Sequence, residues 1–308
     1  MDLERLATRI KLSDLRLLRA IVDHGGMARA AQHLNMTQPG VSKALAAMER
    51  TLGVRLLDRA RAGNAPTRYG DALLSGGLSV FDELRQSVAR VLYLADPTRG
   101  DLRIGTTQPL ALGFIPKVLE RMRKLHPGIR VHVVEGGIHA QLRQRNIEVG
   151  IGRPWVEGIA PDVTEDPLFN DPLLVAASLR GAWARRRKLS LRNLQNAPWV
   201  LPPYNSFPGE LITEAFRAEG LEPPAAQVTT HSLTLHFSLQ VAEDYLGITA
   251  RSVLRLNSSG LALKTLPIVL RHRPSPVVIL TLKNRSLSPV AELFIRHARE
   301  TAMELKLT

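Results

Sequence analysis

Met27–Gly53 reads MARAAQHLNMTQPGVSKALAAMERTLG, two short helix-patterned stretches that meet at Asn35-Met36-Thr37-Gln38-Pro39. Ala30, Ala31 and Leu34 give the first stretch a small face that a second helix can cross closely, as a helix-turn-helix requires. Thr37 suits the N-cap of the second helix because its hydroxyl accepts an otherwise unpaired backbone N–H. Pro39 then falls in the first turn, where its missing donor costs little. The second helix is therefore expected from about Gln38, with Val41, Leu45, Met48 and Leu52 as its buried stripe and Gly53 as the stop beyond its end. Gln38, Ser42, Lys43 and Ala46 lie off that stripe near the N-terminus, where a recognition helix presents side chains to base edges and phosphates.

Two helices around a turn also occur in all-α cores, so the apolar pattern alone leaves both readings open. Charge separates them. Residues 29–68 hold Arg29, Lys43, Arg50, Arg55, Arg59, Arg61 and Arg68 against Glu49 and Asp58, a local +5, while 1–28 and 69–99 together balance to zero. Closely spaced phosphates bind such a patch largely through counterion release, so double-stranded DNA is the expected partner and its affinity should fall with salt.

Outward from this stretch, Leu12, Leu15, Leu18 and Ile21/Val22 recur at helical spacing, with Ser13 as the expected cap, and read as a supporting helix ended by Gly25-Gly26. Downstream, Val54–Asp58 and the turn-rich Ala62–Thr67 suggest a hairpin, or wing. Arg59 and Arg61 there either reach phosphates or the minor groove or are solvated loop arginines. Thr67 caps a long segment, Arg68 to Ala95, in which Leu74, Gly77, Phe81, Leu84, Val88, Val91 and Ala95 follow alternating four- and three-residue steps. This coiled-coil seam either joins a second copy, giving a two-fold dimer with two recognition helices, or packs on the chain's own C-terminal part. Asp96-Pro97-Thr98-Arg99-Gly100 breaks the helix.

From Asp101 strands and helices alternate. Strands are expected at Leu102–Thr106, Ile129–Val134 and Val149–Gly152, with helices at Leu110–Leu125 and Ala140–Arg145. A second set begins at Pro167, and Val277–Leu282 and Pro289–Leu305 close the chain. Two α/β lobes with ligand-facing strand ends make a cleft the expected binding place. The fold class is thus α+β multidomain. Its expected division is a winged helix-turn-helix domain at 1–67, a linker and dimerisation helix at 68–96, and an effector-binding domain at 97–308. Within the last, lobe I comprises 101–163 and 267–308, and lobe II comprises 164–266.

The 308 residues, 44% of them hydrophobic, can bury several cores, and the net charge of +13 suits a polyanion partner. There is no cysteine, which excludes disulfides and Cys-ligated zinc. The N-terminal stretch carries acids and no small-residue cleavage pattern, and no apolar run approaches ~18 residues, so a cytoplasmic chain without membrane contact is expected. His231 and His236 are off a single helical face and lack a carboxylate at zincin spacing, so no metal is expected. No nucleophile elbow, Walker loop or dinucleotide fingerprint supports an enzyme or a cofactor. A DNA-tethered small-molecule-processing enzyme stays as the alternative, and a solute-binding protein is disfavoured by the absent export signal. Arg185-Arg186-Arg187-Lys188 is either a second polyanion patch or a solvated helix end.

With these features together, the chain resembles the LysR-type transcriptional regulators along essentially its whole length. The resemblance rests on Ala30-Ala31-Gln32-His33-Leu34, Thr37-Gln38-Pro39-Gly40-Val41-Ser42, Leu45, Glu49, Leu52-Gly53-Val54-Arg55-Leu56, Arg59, Pro66-Thr67 and Gly70. Leu102-Arg103-Ile104-Gly105, Pro116, His126-Pro127 and Gly247-Ile248 extend it into the C-terminal part. Pro66-Thr67-Arg68-Tyr69-Gly70 is similar to members near the galactose-binding-protein and protocatechuate regulators. The resemblance implies a winged helix-turn-helix, a dimerising linker helix and a two-lobed periplasmic-binding-protein-like sensor, with homodimers assembling to homotetramers and RNA polymerase among the partners. Gln38, Pro39, Ser42 and Lys43 match the DNA-contacting positions; with Arg29, Thr37, Arg59 and Arg61 they form the candidate DNA-binding set. Lys43, where many members have Arg, suits a phosphate better than a bidentate guanine contact. The implied effector site lies between the lobes at Thr106, Thr107, Gln108 and Arg153 from one and Asn205, Ser206, His231 and Ser232 from the other. Such a set suits a carboxylate or sugar-like effector, though Ser206 and Ser232 are equally read as caps of their own helices.

Overall fold

The structure, a computed structural model, describes residues 3–58, 65–154, 161–257, 260–274 and 276–307. Two units, Met1–Val88 and Ala89–Thr308, hold their contacts largely within themselves.

The first unit begins with α1 (Leu3–Ala7), α2 (Leu12–Asp23), α3 (Met27–His33) and α4 (Gln38–Leu52). Leu17, Leu18, Ala20 and Ile21 of α2 meet Ala30 and Ala31 of α3 and Val41, Leu45 and Met48 of α4 in one core. The two alanines set the close approach. The buried face of α2 is rotated from the expected one: Leu12 is exposed, and the N-cap position is Lys11, whose N–H donates to Asp14 Oδ2 (2.9 Å), rather than Ser13. A two-stranded wing follows, β1 (Leu57–Asp58) antiparallel to β2 (Ala65–Pro66). Glu49 Oε1 accepts from Leu56 N (2.8 Å) and so ties α4 to the wing.

α5 (Arg68–Ala95) is the long linking helix. Its first turn lies against the chain before the wing: Thr67 N donates to Leu56 O (2.9 Å), and a Cβ on Gly70 would fall inside that same carbonyl oxygen. The expected seam divides. Leu73 and Leu74 pack on the N-terminal core and Gly77 faces Leu15, whereas Leu84, Val88 and Val91 are about half exposed or more.

In the second unit, β3 (Arg99–Thr106), α6 (Gln108–Leu112), α7 (Phe114–Leu125), β4 (Gly128–Glu135), α8 (Ile138–Arg143), β5 (Val149–Gly152) and β6 (Val163–Asn170) build most of lobe I. Lobe II follows with β7 (Leu173–Ser178), a 3-10 turn (Trp183–Arg185), α9 (Leu191–Leu194), β8 (Val200–Leu201) and α10 (Phe207–Ala218). It continues through β9 (Val228–Thr229), α11 (Leu233–Glu243), β10 (Gly247–Ala250), α12 (Arg251–Leu256) and β11 (Leu263–Thr265). The chain then returns to lobe I with β12 (Pro276–Leu282) and α13 (Pro289–Glu304).

The lobe I sheet runs β4-β3-β5-β12-β6, with β3 parallel to β4 and β5 and β12 antiparallel to its neighbours. Alternation along β12 sends Val277 and Ile279 to the core shared with α7 and α13, and Val278 and Leu280 to the opposite face with Ile138 and Leu142 of α8. Lobe II pairs β7 with β10 and β11, and a bridge from Trp199 to Leu246 joins the β8-β9 pair. Its core gathers Trp199, Leu211, Ile212 and Phe216, and Trp199 Nε1 donates to Leu194 O (2.7 Å).

The lobe boundaries differ from those expected. β6 pairs along β12 from Asn170 opposite Pro276 to Val163 opposite Leu282, so 164–170 belongs to lobe I and the chain crosses after Asn170. Leu266, Ile268 and Leu270 remain in the lobe II core, so the return falls later than 267. The helix expected at Leu110–Leu125 is also two, broken at Gly113.

Candidate functional sites

The cap of α4 is built as the sequence specifies. Thr37 Oγ1 accepts from Gly40 N (3.2 Å), and Gly53 ends the helix in the left-handed region at φ 71°. With Val41, Leu45 and Met48 turned inward, Gln38, Pro39 and Lys43 are exposed and Ser42 is half-buried. Asn35 takes φ 54° in the connecting turn, a conformation asparagine adopts more readily than most residues. Arg29 is also at the surface, but its Nη2 donates to Gly25 O (3.0 Å) and closes the end of α2. Arg59 and Arg61 lie outside the described residues.

A cavity of about 630 Å³ lies between the two lobes. Thr107, Gln108 and Arg153 line it from lobe I, and Ser206, His231 and Ser232 from lobe II. Thr106 and Asn205 do not. Thr106 is the last residue of β3, fully buried, and its Oγ1 donates to Ile151 O (3.1 Å); Asn205 is exposed one residue before the wall. Ser206 and Ser232 line the cavity and also cap helices, accepting from Gly209 N (3.4 Å) and Leu235 N (3.2 Å). Gln108 reaches across: its Oε1 accepts from Leu233 N (3.4 Å).

Much of the wall is apolar, including Leu110, Ile138, Leu173, Phe207, Leu233 and Ile248. Of the two arginines that line it, Arg143 is the more exposed and Arg153 the more buried. Burial pulls the pKa of Arg153 down, and Asp171 opposes that shift. Its Nη2 donates to Asp171 O (2.9 Å) and lies 3.5 Å from Asp171 Oδ2. The buried Asp171 carboxylate also accepts from Ser252 N (2.8 Å) and Ser252 Oγ (2.7 Å) in the first turn of α12. Asp171 stands where the chain leaves β6 for lobe II, so Arg153 links the cavity wall to the crossover itself.

Other lining residues were not assigned to the site from the sequence. Arg143 is held by two hydrogen bonds to Asp162 (2.7 and 2.8 Å), which raises its pKa and lowers that of Asp162. Burial lowers the pKa of His139, with Glu165 opposing. His236 lies deeper, and burial pushes it down to about 4, with the backbone at Ile248 opposing. Gly136, Gly137, Thr230 and Thr249 complete much of the remainder. Among the described residues no three His, Cys, Asp or Glu side chains gather as a metal site, and no helix is long and apolar enough to cross a membrane.

Residues 12–71 match the family model described as bacterial regulatory helix-turn-helix protein, lysR family, and residues 95–303 match the LysR substrate binding domain. The chain is similar to the HTH-type transcriptional regulator GbpR of Azospirillum brasilense, with 27% identity over 315 residues, covering 98% of this chain and 90% of that protein. Among solved structures it is similar in fold to full-length CbnR complexed with its target DNA (TM-score 0.66, 23% identity, covering 95% of this chain and 100% of that one). Full-length BenM shares the fold as well (TM-score 0.55, 23% identity, 97% and 99% covered). An N-terminal helix-turn-helix and a two-lobed substrate-binding domain, both matched in one chain, make this protein a member of the LysR family of transcriptional regulators.

Proposed function

We propose that this regulator reads a two-fold DNA site through paired α4 helices and answers to a small polar or anionic effector, a carboxylate or a sugar-like molecule, held between its two lobes. Gln38 and Ser42 supply sequence preference; Thr37 and Pro39 set the start of the helix against the duplex; Lys43 and Arg29 add phosphate contacts, as do Arg59 and Arg61 of the wing. Thr107, Gln108, Arg153, Ser206, His231 and Ser232 surround the effector. The working division is a DNA-binding domain at 1–67, a linker helix at 68–96 and an effector domain from 97, with the lobes crossing after Asn170. Copies pair through the exposed apolar face of α5, and homodimers assemble to tetramers that meet RNA polymerase at the promoter.

The observation that carries this reading is the Arg153–Asp171 contact. An anionic group that draws Arg153 toward itself weakens its hold on Asp171, which anchors α12 of lobe II through Ser252. Effector binding is thereby coupled to the angle between the lobes. Such a ligand shifts the equilibrium only by its differential affinity for the two lobe arrangements. Smooth bending of a DNA site costs on the order of 1–6 kcal/mol, and a coupling of about 1–3 kcal/mol matches the lower part of that range.

The test has two arms. Duplexes selected in vitro by the full chain are titrated with Gln38→Ala, Ser42→Ala and Lys43→Ala. The first two should lose preference for the selected sequence over random DNA, and the third should weaken both alike. A thermal-shift panel of aromatic and aliphatic carboxylates and monosaccharides then identifies stabilising ligands, since a ligand at 100 times its Kd contributes ~2.7 kcal/mol. Arg153→Met should remove the response to carboxylates and leave DNA binding intact. Unchanged sequence preference in the α4 variants, or an undiminished carboxylate response in Arg153→Met, rejects the corresponding half.

A further inference from the structure

Pro172–Gly209 contains no Asp or Glu, yet Arg180, Arg185, Arg186, Arg187, Lys188 and Arg192 all fall within it. All six are exposed, and none reaches a carboxylate among the described residues. The contrast within the same unit is sharp: Arg121, Arg130, Arg143, Arg271, Arg273 and Arg299 each form an ion pair. The nearby Asp244 is turned to the backbone, accepting from Ala182 N (3.2 Å).

This segment is held in place rather than left loose. Ala184 is buried, and its carbonyl accepts from Lys264 Nζ (2.8 Å), which brings a seventh cation beside the six. Trp183 packs on the lobe II core, and the Arg186 guanidinium covers its ring at 4.4 Å. Leu191 and Leu194 anchor the far end in that core. A fixed cluster of like charges raises the free energy of the folded state, a cost that a polyanion laid against it would offset.

We propose that this lobe II loop is a second duplex-DNA contact, a phosphate-backbone site apart from α4 and indifferent to base sequence. Arg185–Lys188 are four successive cations along roughly 10–13 Å of chain. Duplex DNA offers one charge per about 1.7 Å of axis, so it can meet several of them together, whereas a small anion meets one or two. Guanidinium forks match phosphate oxygens in geometry as well as charge. The inference goes beyond the assignment of α4 and the cavity and depends on neither contact set.

The test uses the full chain on long random-sequence duplex, followed by fluorescence anisotropy from 50 to 200 mM salt. The variant Arg185→Ser/Arg187→Ser/Lys188→Ser keeps Arg186 over Trp183 and removes three charges. At about 0.9 per phosphate contact, the slope of log affinity against log salt should become shallower by up to ~2.7, so the wild type loses about 40-fold more affinity across that range. The charge-preserving Arg185→Lys/Arg187→Lys variant should keep most of the wild-type slope. An unchanged slope in the serine variant with an unaltered melting curve overturns the proposal. So does an equal loss in the lysine variant, or binding of the loop to anionic vesicles with no change in DNA affinity. Failure of the α4 assignment would show instead as unaltered sequence preference in Gln38→Ala, with the slope difference on random duplex still present.

Discussion

Two glycines of the same helix should respond to alanine in opposite directions. At Gly70 an added Cβ would overlap Leu56 O and come within 3.2 Å of both Leu56 C and Pro66 Cβ. Leu56 O cannot simply yield, because it accepts from Thr67 N (2.9 Å) at the start of α5. The first turn of the helix must retreat, which costs about 1–3 kcal/mol for overpacking. Weakening the Thr67–Leu56 hydrogen bond adds ~1 kcal/mol. Alanine's better helix propensity returns about 1 kcal/mol. Gly70→Ala should therefore destabilise the N-terminal unit by roughly 1–3 kcal/mol, or about 4–8 °C in Tm for each kcal/mol in a unit of this size. At Gly76 a Cβ meets nothing within 4 Å, so Gly76→Ala should stabilise by about 0.5–1 kcal/mol. Calorimetry of the full chain, with DNA affinity measured in parallel, reads both. Two alanines that shift the transition alike, or a Gly70→Ala protein that melts as the wild type does, would refute the packing argument.

Acid should weaken the effector unit through His236. Its folded pKa of about 4 lies below the ordinary value of 6.5, so the unfolded chain binds the proton first and stability falls as pH drops through that window. The expected loss is ~2 kcal/mol between pH 7 and pH 5. His236→Asn should flatten that part of a pH series of urea melts, and an equally steep series in the variant would count against it. On α5, Leu84→Gln/Val88→Gln/Val91→Gln removes three exposed apolar side chains from each copy. At about 1 kcal/mol each, six in a two-fold dimer amount to roughly 6 kcal/mol, or about four orders of magnitude in dimer Kd. Sedimentation that leaves the dimer intact at micromolar concentration would place the interface elsewhere.

Helix α4 was legible because its determinants are local: a threonine whose hydroxyl reaches three residues ahead, a first-turn proline, an apolar stripe and a terminal glycine. Strands β5 and β12 were legible for the same reason, each a short apolar run, and β3 through the alternation of Leu102 and Ile104 with Asp101 and Arg103. β6 was not, because Val163–Asn170 carries two acids and Pro167. It stands at the sheet edge, where a missing N–H is tolerated, and the register shifts between Val277 and Val278 of its partner. The break between α6 and α7 also escaped the sequence, since a lone glycine in an apolar pattern does not announce which helices converge on it. The wall of the cavity between the lobes was half legible. Motif position led to Thr107, Gln108, Arg153, Ser206, His231 and Ser232, but not to which neighbour turns inward: Thr106 is spent between strands and Asn205 faces solvent. Asp162, which neutralises Arg143, and Ser252, which engages Asp171, come from distant stretches that no periodicity brings together.

Because Asn170 lies directly opposite Pro276 on neighbouring antiparallel strands, the outgoing and incoming connections of lobe II start as adjacent rails. A body suspended from two parallel rails can swing about one axis far more easily than it can twist or slide. Ligands of quite different shape would then be converted into the same rotation, differing only in how far the door is pushed.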